Sequence, residues 1–234
     1  MTDKTQLARL LPIIDYADAL RLEATDDDVL EACRTARQYG LASVAVFANF
    51  IATAAEALAG SSVAVQCPVG FPSGGHTTAV KLAEAENALA NGATEIDMVM
   101  AIGRFKSGHD DYVEDEIRQI VQAAARSNVH VKVIIEVGLL SDDEKVRAAR
   151  LAERAGAAFV KTCTGFGPGR CTVHDVTLLR RALNPATGVK ASGGVLWLED
   201  ALAFMQAGAS RVAARRSIIQ QLQADGIASS ADLS

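Results

Sequence analysis

Apolar residues along the chain follow two alternating periods. Short runs rich in Val, Ile and Ala predict buried strands, and longer stretches with apolar positions three or four residues apart predict helices. The eight predicted strands lie around Ile13 and at Ser43–Phe47, Val63–Cys67, Glu95–Met100, Val131–Glu136, Ala158–Lys161, Val189–Ala191 and Arg211–Ala213. The clearest helices between them are Asp26–Tyr39, Thr77–Ala90, Asp110–Arg126, Asp142–Ala155 and Val173–Leu183. Eight strands alternating with helices favour an α/β fold, a (β/α)₈ TIM barrel.

Glycine marks the passage from helix to strand. The phrases YGLASVAVF, NGATEIDMVM, AGAAFVKT and AGASRVAA each place a glycine at the end of a helical pattern, three or four residues before an apolar run. Glycine adopts the left-handed conformation that ends many helices without a steric penalty. We therefore predict helix ends at Gly40, Gly92, Gly156 and Gly208.

A doubly wound dinucleotide-binding sheet is the competing architecture. It requires G-x-G-x-x-G between the first strand and the first helix, and that turn is absent. The segment GFGPGR has alternating glycines but follows the sixth strand, which indicates backbone close to a ligand rather than a dinucleotide site. We expect one barrel domain over 1–234, with a lead-in at 1–10 and a loose tail at 225–234.

Charge and cysteine usage narrow the class of partner. The 23 basic and 28 acidic residues are mixed along the chain, giving a net charge of −5 and no basic patch for nucleic acid or an anionic membrane. Cys33, Cys67, Cys163 and Cys171 form no C-x-x-C pair, and no apolar stretch is long enough to cross a bilayer. We expect a cytoplasmic protein with reduced thiols and a small-molecule partner.

Three charged residues end apolar strands at the face where such barrels carry their active sites. They are Asp97, Lys161 and Lys190. Lowering a lysine pKa from about 10.4 to about 7 costs roughly 4.6 kcal/mol, and a like charge ~5 Å away at an effective dielectric of ~20 contributes about 3.3 kcal/mol. Adjacent lysines therefore favour a nucleophilic amine that forms a Schiff base with a carbonyl compound. Asp97 fits a proton shuttle, an ion pair to a lysine, or both.

Other polar residues carry weaker expectations. Glu136 is placed to line the site, Lys132 to lie in the bottom layer or in solvent, and Cys163 to form part of the pocket wall. The four histidines are scattered without clustered carboxylates, so we expect no metal. They are His76, His109, His130 and His174.

Several motifs resemble those of the deoxyribose-phosphate aldolases, in register from about Ala42 to Ala207. They are VGFPSG, GATEIDMVMAIG, VKVIIEVGLL, AGAAFVKTCTGFGPG and GVKASGGVLWLEDA. The resemblance implies a (β/α)₈ barrel that reversibly cleaves 2-deoxy-D-ribose 5-phosphate to acetaldehyde and glyceraldehyde 3-phosphate, without metal or organic cofactor. It also implies that Lys161 forms the Schiff base, Lys190 tunes it and Asp97 transfers protons.

The chain departs from these aldolases in three places. Asp15-Tyr16-Ala17 replaces Asp-His-Thr, and Ala101 replaces a frequent Asn; we expect both changes near the pocket. Residues 213–217, Ala-Ala-Arg-Arg-Ser, replace the Gly-Thr/Ala-Ser-Ser phosphate turn.

A phosphate is expected among the loops after strands seven and eight. The expected phosphate-binding residues are Gly165, Ser192, Gly193, Gly194, Arg215 and Arg216. The two arginines either clamp the phosphate or point to solvent and pair with acidic neighbours.

Three functional hypotheses remain open on the sequence. The first is an aldolase for deoxyribose 5-phosphate, and the second is the same imine chemistry on another short phosphorylated or carboxylated aldehyde. The third is a non-catalytic sugar-phosphate-binding barrel, which would not need two adjacent lysines. We also expect a homo-oligomer, a dimer or a tetramer.

Overall fold

The strands close into a barrel. In the computed structural model, which describes residues 3–233, eight parallel strands pair in chain order and the eighth pairs with the first. The strands are β1 Ile14–Tyr16, β2 Ser43–Ala45, β3 Ala64–Val69, β4 Glu95–Val99, β5 His130–Ile134, β6 Phe159–Lys161, β7 Gly188–Ala191 and β8 Arg211–Ala214. The predicted (β/α)₈ barrel is confirmed.

Helices connect the strands. They are α1 Lys4–Leu10, α2 Asp26–Tyr39, α3 Ile51–Ala57, α4 Thr78–Ala90, α5 Ile102–Lys106, α6 Asp110–Ala125, α7 Asp142–Arg154, α8 Val173–Ala182, α9 Leu198–Gln206 and α10 Arg216–Ala224. The five helices predicted by name begin and end within one residue of these bounds. Short 3₁₀ turns occupy Leu11–Ile13, Ala48–Phe50, Val137–Leu139 and Ser230–Leu233. Within residues 3–233, no helix combines the length and the apolar character that a bilayer span requires.

Local sequence signals explain the regularity of the helix ends. The four glycines predicted to end helices all have positive φ angles, as the pattern requires: Gly40, Gly92, Gly156 and Gly208. At the other end, Ser141 and Glu144 form a reciprocal capping box at the start of α7, and Thr172 and Asp175 form another at α8. At these positions, residues close to each helix end in the sequence determine where the helix begins or stops.

Strand boundaries differ from the prediction by one or two residues, and β3, for example, runs to Val69 and not to Cys67. The residues around Ile13 form a 3₁₀ turn, and the strand begins at Ile14. The second strand ends at Ala45, before Phe47. The fifth ends at Ile134, and Glu136 takes a φ of +55°, so the chain has already left the sheet. At β2 and β5 the apolar run continues past the end of the ladder.

The C-terminal residues 225–233 are mostly exposed but are tied to the barrel, which differs from the expectation of a loose tail. Ile227 is buried, and its carbonyl accepts a hydrogen bond from Tyr39 Oη at 3.2 Å. Lys4 Nζ donates to the Asp232 carbonyl at 2.7 Å, and Gln38 Nε2 donates to the Ala228 carbonyl at 2.6 Å. One apolar residue and a few long-range hydrogen bonds hold this segment against α1 and α2.

Successive side chains of β4 point alternately toward the helices and into the barrel. Ile96 and Met98 face outward and belong to the apolar core beneath the helices. Glu95 and Asp97 alternate with them and point into the barrel, where they contact charged residues of other strands. The apolar core therefore lies between strands and helices, and the space within the strands is left for polar chemistry.

Candidate active site

Seven charged side chains fill the barrel interior, where many barrels of this kind stack apolar residues in layers. We call them the interior charge network: Asp15, Glu95, Asp97, Lys132, Lys161, Lys190 and Arg211. Arg211 has the most exposed side chain of the set, at 18%. With ionised carboxylates and protonated lysines, four cations face three carboxylates.

Asp97 is the centre of the network. Its Oδ2 accepts hydrogen bonds from Lys161 Nζ and from Lys190 Nζ, both at 2.8 Å, and its Oδ1 accepts one from Lys132 Nζ at 3.1 Å. The Lys161 and Lys190 nitrogens therefore lie no more than twice 2.8 Å apart. The two lysines also face each other in the parallel register of β6 and β7. The structure thus brings together the three residues that the strand-end argument selected.

The lower part of the network was missed by the sequence analysis, apart from Lys132. Arg211, the first residue of β8, pairs with Asp15 and with Glu95, the latter at 2.6 Å between Nη2 and Oε1. Lys132 pairs with Glu95 as well, which places it in the bottom layer and out of solvent. Lys190 Nζ lies 2.5 Å from Asp15 Oδ2. The available signal was a charged residue at an inward position of each of these strands.

Burial and charge make Lys161 an unusual amine. Burial is the largest cause that lowers the pKa of Lys161, to about 8, and the neighbouring ammonium groups of Lys190 and Lys132 lower it further, against the opposing effect of Asp97. Burial therefore lowers the pKa of Lys161 more than the neighbouring positive charge does, which is the reverse of the expectation from the sequence. Burial by itself raises the pKa of Asp97, but the three lysines outweigh it and hold that pKa well below its usual range.

A cavity of about 530 Å³ opens above Lys161 and Lys190 at the carboxyl end of the barrel. Five of the six predicted phosphate-binding residues line it: Gly165, Ser192, Gly193, Gly194 and Arg215. Asp97 lies beneath the two lysines and is reached from the cavity through them. The candidate amine therefore faces a space large enough for a small substrate.

The two consecutive arginines have different surroundings. Arg216 pairs with Asp18, with Nη2 2.9 Å from Oδ2, and does not line the cavity. Arg215 lines the cavity and has no acidic partner among residues 3–233. Of the two alternatives expected for these arginines, pairing with an acidic neighbour applies to Arg216. Of the two, only Arg215 lies where it can contact a substrate.

A third arginine was not selected from the sequence. Arg170, which ends the GFGPGR segment after β6, lines the same cavity and, in the described part of the chain, forms no ion pair. A Cβ on Gly194 would lie 3.1 Å from the Arg170 Cβ, so the glycine gives the arginine its room. The sequence signal that could have identified Arg170 was its position directly after a glycine-rich loop at the carboxyl end of a strand.

Two smaller expectations fail. Glu136 does not line the cavity; its carboxylate accepts hydrogen bonds from Thr164 N at 3.1 Å and Thr164 Oγ1 at 2.5 Å, and so holds the loop after β6. Cys163 lies behind Gly193, where an added Cβ would come 2.9 Å from the cysteine Cβ. Both residues support the loops that form the site.

Of the residues that depart from the family motifs, some line the main cavity and others do not. Ala17 lines the main cavity, so this change lies at the site. Ala101 lines a separate cavity of about 420 Å³ together with Gly74, Thr77 and Arg104, and does not line the main cavity near which it was expected. Over residues 3–233, no group of three or more His, Cys, Asp or Glu is arranged to hold a metal ion.

Comparison with known proteins agrees with this geometry. Residues 12–221 match the family described as DeoC/LacD family aldolase. The chain is 46% identical over 206 residues to the deoxyribose-phosphate aldolase of Bacillus cytotoxicus, covering 88% of this chain and 92% of that protein. It is 48% identical over 220 residues to that of Streptococcus suis, covering 93% and 99%. The tetrameric deoxyribose phosphate aldolase structure from Aeropyrum pernix superposes with a TM-score of 0.84 at 30% identity, covering 96% and 97%. The chain belongs to the DeoC/LacD aldolase family.

Proposed function

We propose that this protein is a class I aldolase that reversibly cleaves 2-deoxy-D-ribose 5-phosphate to acetaldehyde and D-glyceraldehyde 3-phosphate. The observation that carries the proposal is the buried Lys161 amine at the floor of the cavity, held beside Lys190 and Asp97. The family membership and the names of the relatives support the same reaction.

The first step is formation of an imine. Neutral Lys161 attacks C1 of the open-chain sugar, and the carbinolamine loses its oxygen as water, leaving a protonated imine. Because burial and its lysine neighbours lower the pKa of Lys161 to about 8, about a tenth of the amine is neutral near pH 7. Lys190, whose Nζ bonds to Asp97 at 2.8 Å, is placed to donate the proton that the departing water requires.

The second step breaks the carbon–carbon bond. A base removes the proton of the 3-hydroxyl, C3 becomes the aldehyde of glyceraldehyde 3-phosphate, and the electron pair of the C2–C3 bond moves into an enamine on Lys161. Protonation of C2 and hydrolysis of the imine then release acetaldehyde and return the free amine. We assign these proton transfers to Asp97 and Lys190, which share one short hydrogen bond.

The phosphate end of the substrate is assigned to the part of the cavity formed by the loops after β7 and β8. Ser192, Gly193 and Gly194 follow β7, and Arg215 follows β8 on the neighbouring strand. Gly193 and Gly194 line the cavity, and their φ angles of +78° and +104° are ones that side chains rarely adopt, so backbone without a side chain faces the ligand there. Arg215 and Arg170 then supply cationic donors in place of the small residues of the usual turn.

The same arginines favour one alternative. Arg170 and Arg215 meet no carboxylate in the described chain, so the site selects an anionic group on the acceptor aldehyde more strongly than a particular carbon skeleton. Another short phosphorylated or carboxylated aldehyde would satisfy this requirement. An assay of aldehyde pairs beside deoxyribose 5-phosphate separates the two substrates.

We also propose a homo-oligomer, a dimer or a tetramer. Large apolar side chains are exposed outside the cavity, among them Leu22 at 85% and Trp197 at 58%. The relative from Aeropyrum pernix is described as tetrameric. Light scattering coupled to size exclusion gives the mass directly, and a monomer at micromolar concentration would contradict this proposal.

Covalent trapping tests the proposed function. Borohydride in the presence of acetaldehyde should reduce the imine and leave a stable two-carbon adduct on Lys161, located by mass spectrometry of its peptide. Lys161→Arg is the matched control, because it keeps a positive charge and cannot form the imine. An adduct on another lysine, or no adduct at all, would overturn the assignment.

A further inference from the structure

The lower end of the barrel holds a charged pair that does not reach the cavity. Glu95 begins β4 and Arg211 begins β8, so both lie at the amino end of the strands, opposite the cavity. Arg211 Nη2 lies 2.6 Å from Glu95 Oε1, and the same guanidinium pairs with Asp15. Neither Glu95 nor Arg211 can touch the substrate, yet both belong to the network that ends at Lys161.

Their contacts connect the two ends of the barrel. Glu95 pairs with Lys132, and Lys132 donates to Asp97 Oδ1 at 3.1 Å. Asp97 then bonds through Oδ2 to Lys161 at 2.8 Å. An unbroken series of ion pairs therefore runs from Arg211 to the amine.

We propose that Glu95 and Arg211 are positioning residues for the reaction at Lys161, a role that rests on the proposed function. Their pairing orients Lys132 and Asp15, and their charges set the balance of the interior charge network. With all groups charged the network has one cation in excess, and loss of the Lys161 proton removes that excess. The neutral amine is thus the state in which the buried charges cancel.

Charged groups surround Lys161, and the proposal concerns two that do not contact it, Glu95 and Arg211. The titratable and charged groups around it are Asp97 of β4, Lys132 of β5, Lys190 of β7, then Asp15, Glu95 and Arg211 below, Arg170 and Arg215 at the cavity, and Glu136 and Cys163 on the adjoining loops. Burial, Lys190 and Lys132 lower the pKa of Lys161, and Asp97 opposes them. A unit charge about 10 Å away at an effective dielectric of about 20 adds roughly one pKa unit.

The sign of each shift follows from which charge is removed. Arg211→Met removes a positive charge, so the pKa of Lys161 should rise and the ascending limb of the pH–rate profile should move up by about one pH unit. Glu95→Gln removes a negative charge and keeps the size of the side chain, so the limb should move down by a similar amount. Arg211→Lys keeps the charge and should leave the limb in place.

The experiment measures kcat/KM for deoxyribose 5-phosphate and the rate of borohydride trapping with acetaldehyde, both from pH 5 to 10, with thermal melting to confirm folding. Opposite shifts for Glu95→Gln and Arg211→Met support the proposal, since a structural defect would lower the plateau without moving the limb in two directions. Unmoved limbs in folded variants, or shifts of one sign, overturn it.

Two further outcomes keep the tests separate. If Arg211→Met does not fold, Glu95→Gln decides alone, and a limb that fails to move down refutes the proposal. If the unsubstituted protein traps no adduct, the proposed function fails, whereas normal trapping with unmoved limbs overturns only the role of Glu95 and Arg211.

Discussion

Replacing Lys190 with methionine removes the like charge nearest to the proposed nucleophile. Lys161 and Lys190 both lie 2.8 Å from Asp97 Oδ2, so a separation of about 5 Å fits the geometry. At an effective dielectric of about 20 the repulsion is about 3 kcal/mol, equivalent to roughly two pKa units. Burial, the largest cause of the lowered pKa of Lys161, stays in place, and the opposing attraction of Asp97 stays too. We expect that pKa to rise from about 8 to about 10.

The assay is the pH dependence of kcat/KM for deoxyribose 5-phosphate cleavage. The neutral fraction of Lys161 at pH 7 should fall from about a tenth to about a thousandth, so activity at pH 7 should fall by at least about 100-fold. The ascending limb should move up by about two pH units, to a plateau that is lowered because Lys190 no longer transfers protons. Lys190→Arg retains the charge and serves as the matched control, with an unmoved limb. A folded Lys190→Met variant whose ascending limb stays at the original pH would refute the reasoning, whatever its plateau.

Three other predictions concern the phosphate, metals and the scaffold. Arg170→Ala and Arg215→Ala should each raise KM for deoxyribose 5-phosphate about 10-fold with little effect on unphosphorylated deoxyribose. Arg216→Ala, which loses its pair with Asp18 and its interaction with Tyr16 but does not line the cavity, should leave the ratio unchanged. Steady-state rates on the two substrates check this, and an unchanged ratio in the Arg170 and Arg215 variants would contradict it. Full activity should survive dialysis against EDTA, and loss that zinc restores would contradict the Schiff-base assignment. Lys81→Met should destabilise the fold by about 3–5 kcal/mol in urea unfolding, because it leaves Glu116 buried and unpaired; Lys81→Met with Glu116→Leu should recover part of the loss.

The barrel could be predicted because its signals are local. A glycine with positive φ ends the helix before a strand, as at Gly156 before β6, and a capping box such as Ser141 with Glu144 begins the next helix. Strand ends were predicted less well because they depend on neighbours. The segment VKVIIEVG contains no residue that predicts the end of the strand pairing at Ile134. It also does not predict that the Glu136 carboxylate accepts a hydrogen bond from Thr164.

The candidate site divides along the same line. The strand-end rule for barrels is positional, and it identified Lys161, the last residue of β6. Asp97 and Lys190 were expected at strand ends too, but they lie two residues before the end of β4 and one residue before the end of β7. The pairing of Arg216 could not be predicted, because its partner Asp18 lies almost 200 positions earlier in the chain. Pairings across a closed barrel depend on the stagger of all its strands, which sequence spacing does not contain.

The interior charge network and the apolar layer between strands and helices contribute differently to stability and to activity. Buried ion pairs seldom stabilise a protein more than apolar packing of the same volume would. Asp97 has no solvent exposure and holds three lysines, which is an expensive arrangement for a scaffold that needed only stability. The apolar layer between strands and helices, which contains Ile96 and Met98, lies outside the ring of strands and does not depend on these charges. Stability thus comes mainly from outside the strands, and the interior is free to hold an amine in its reactive state.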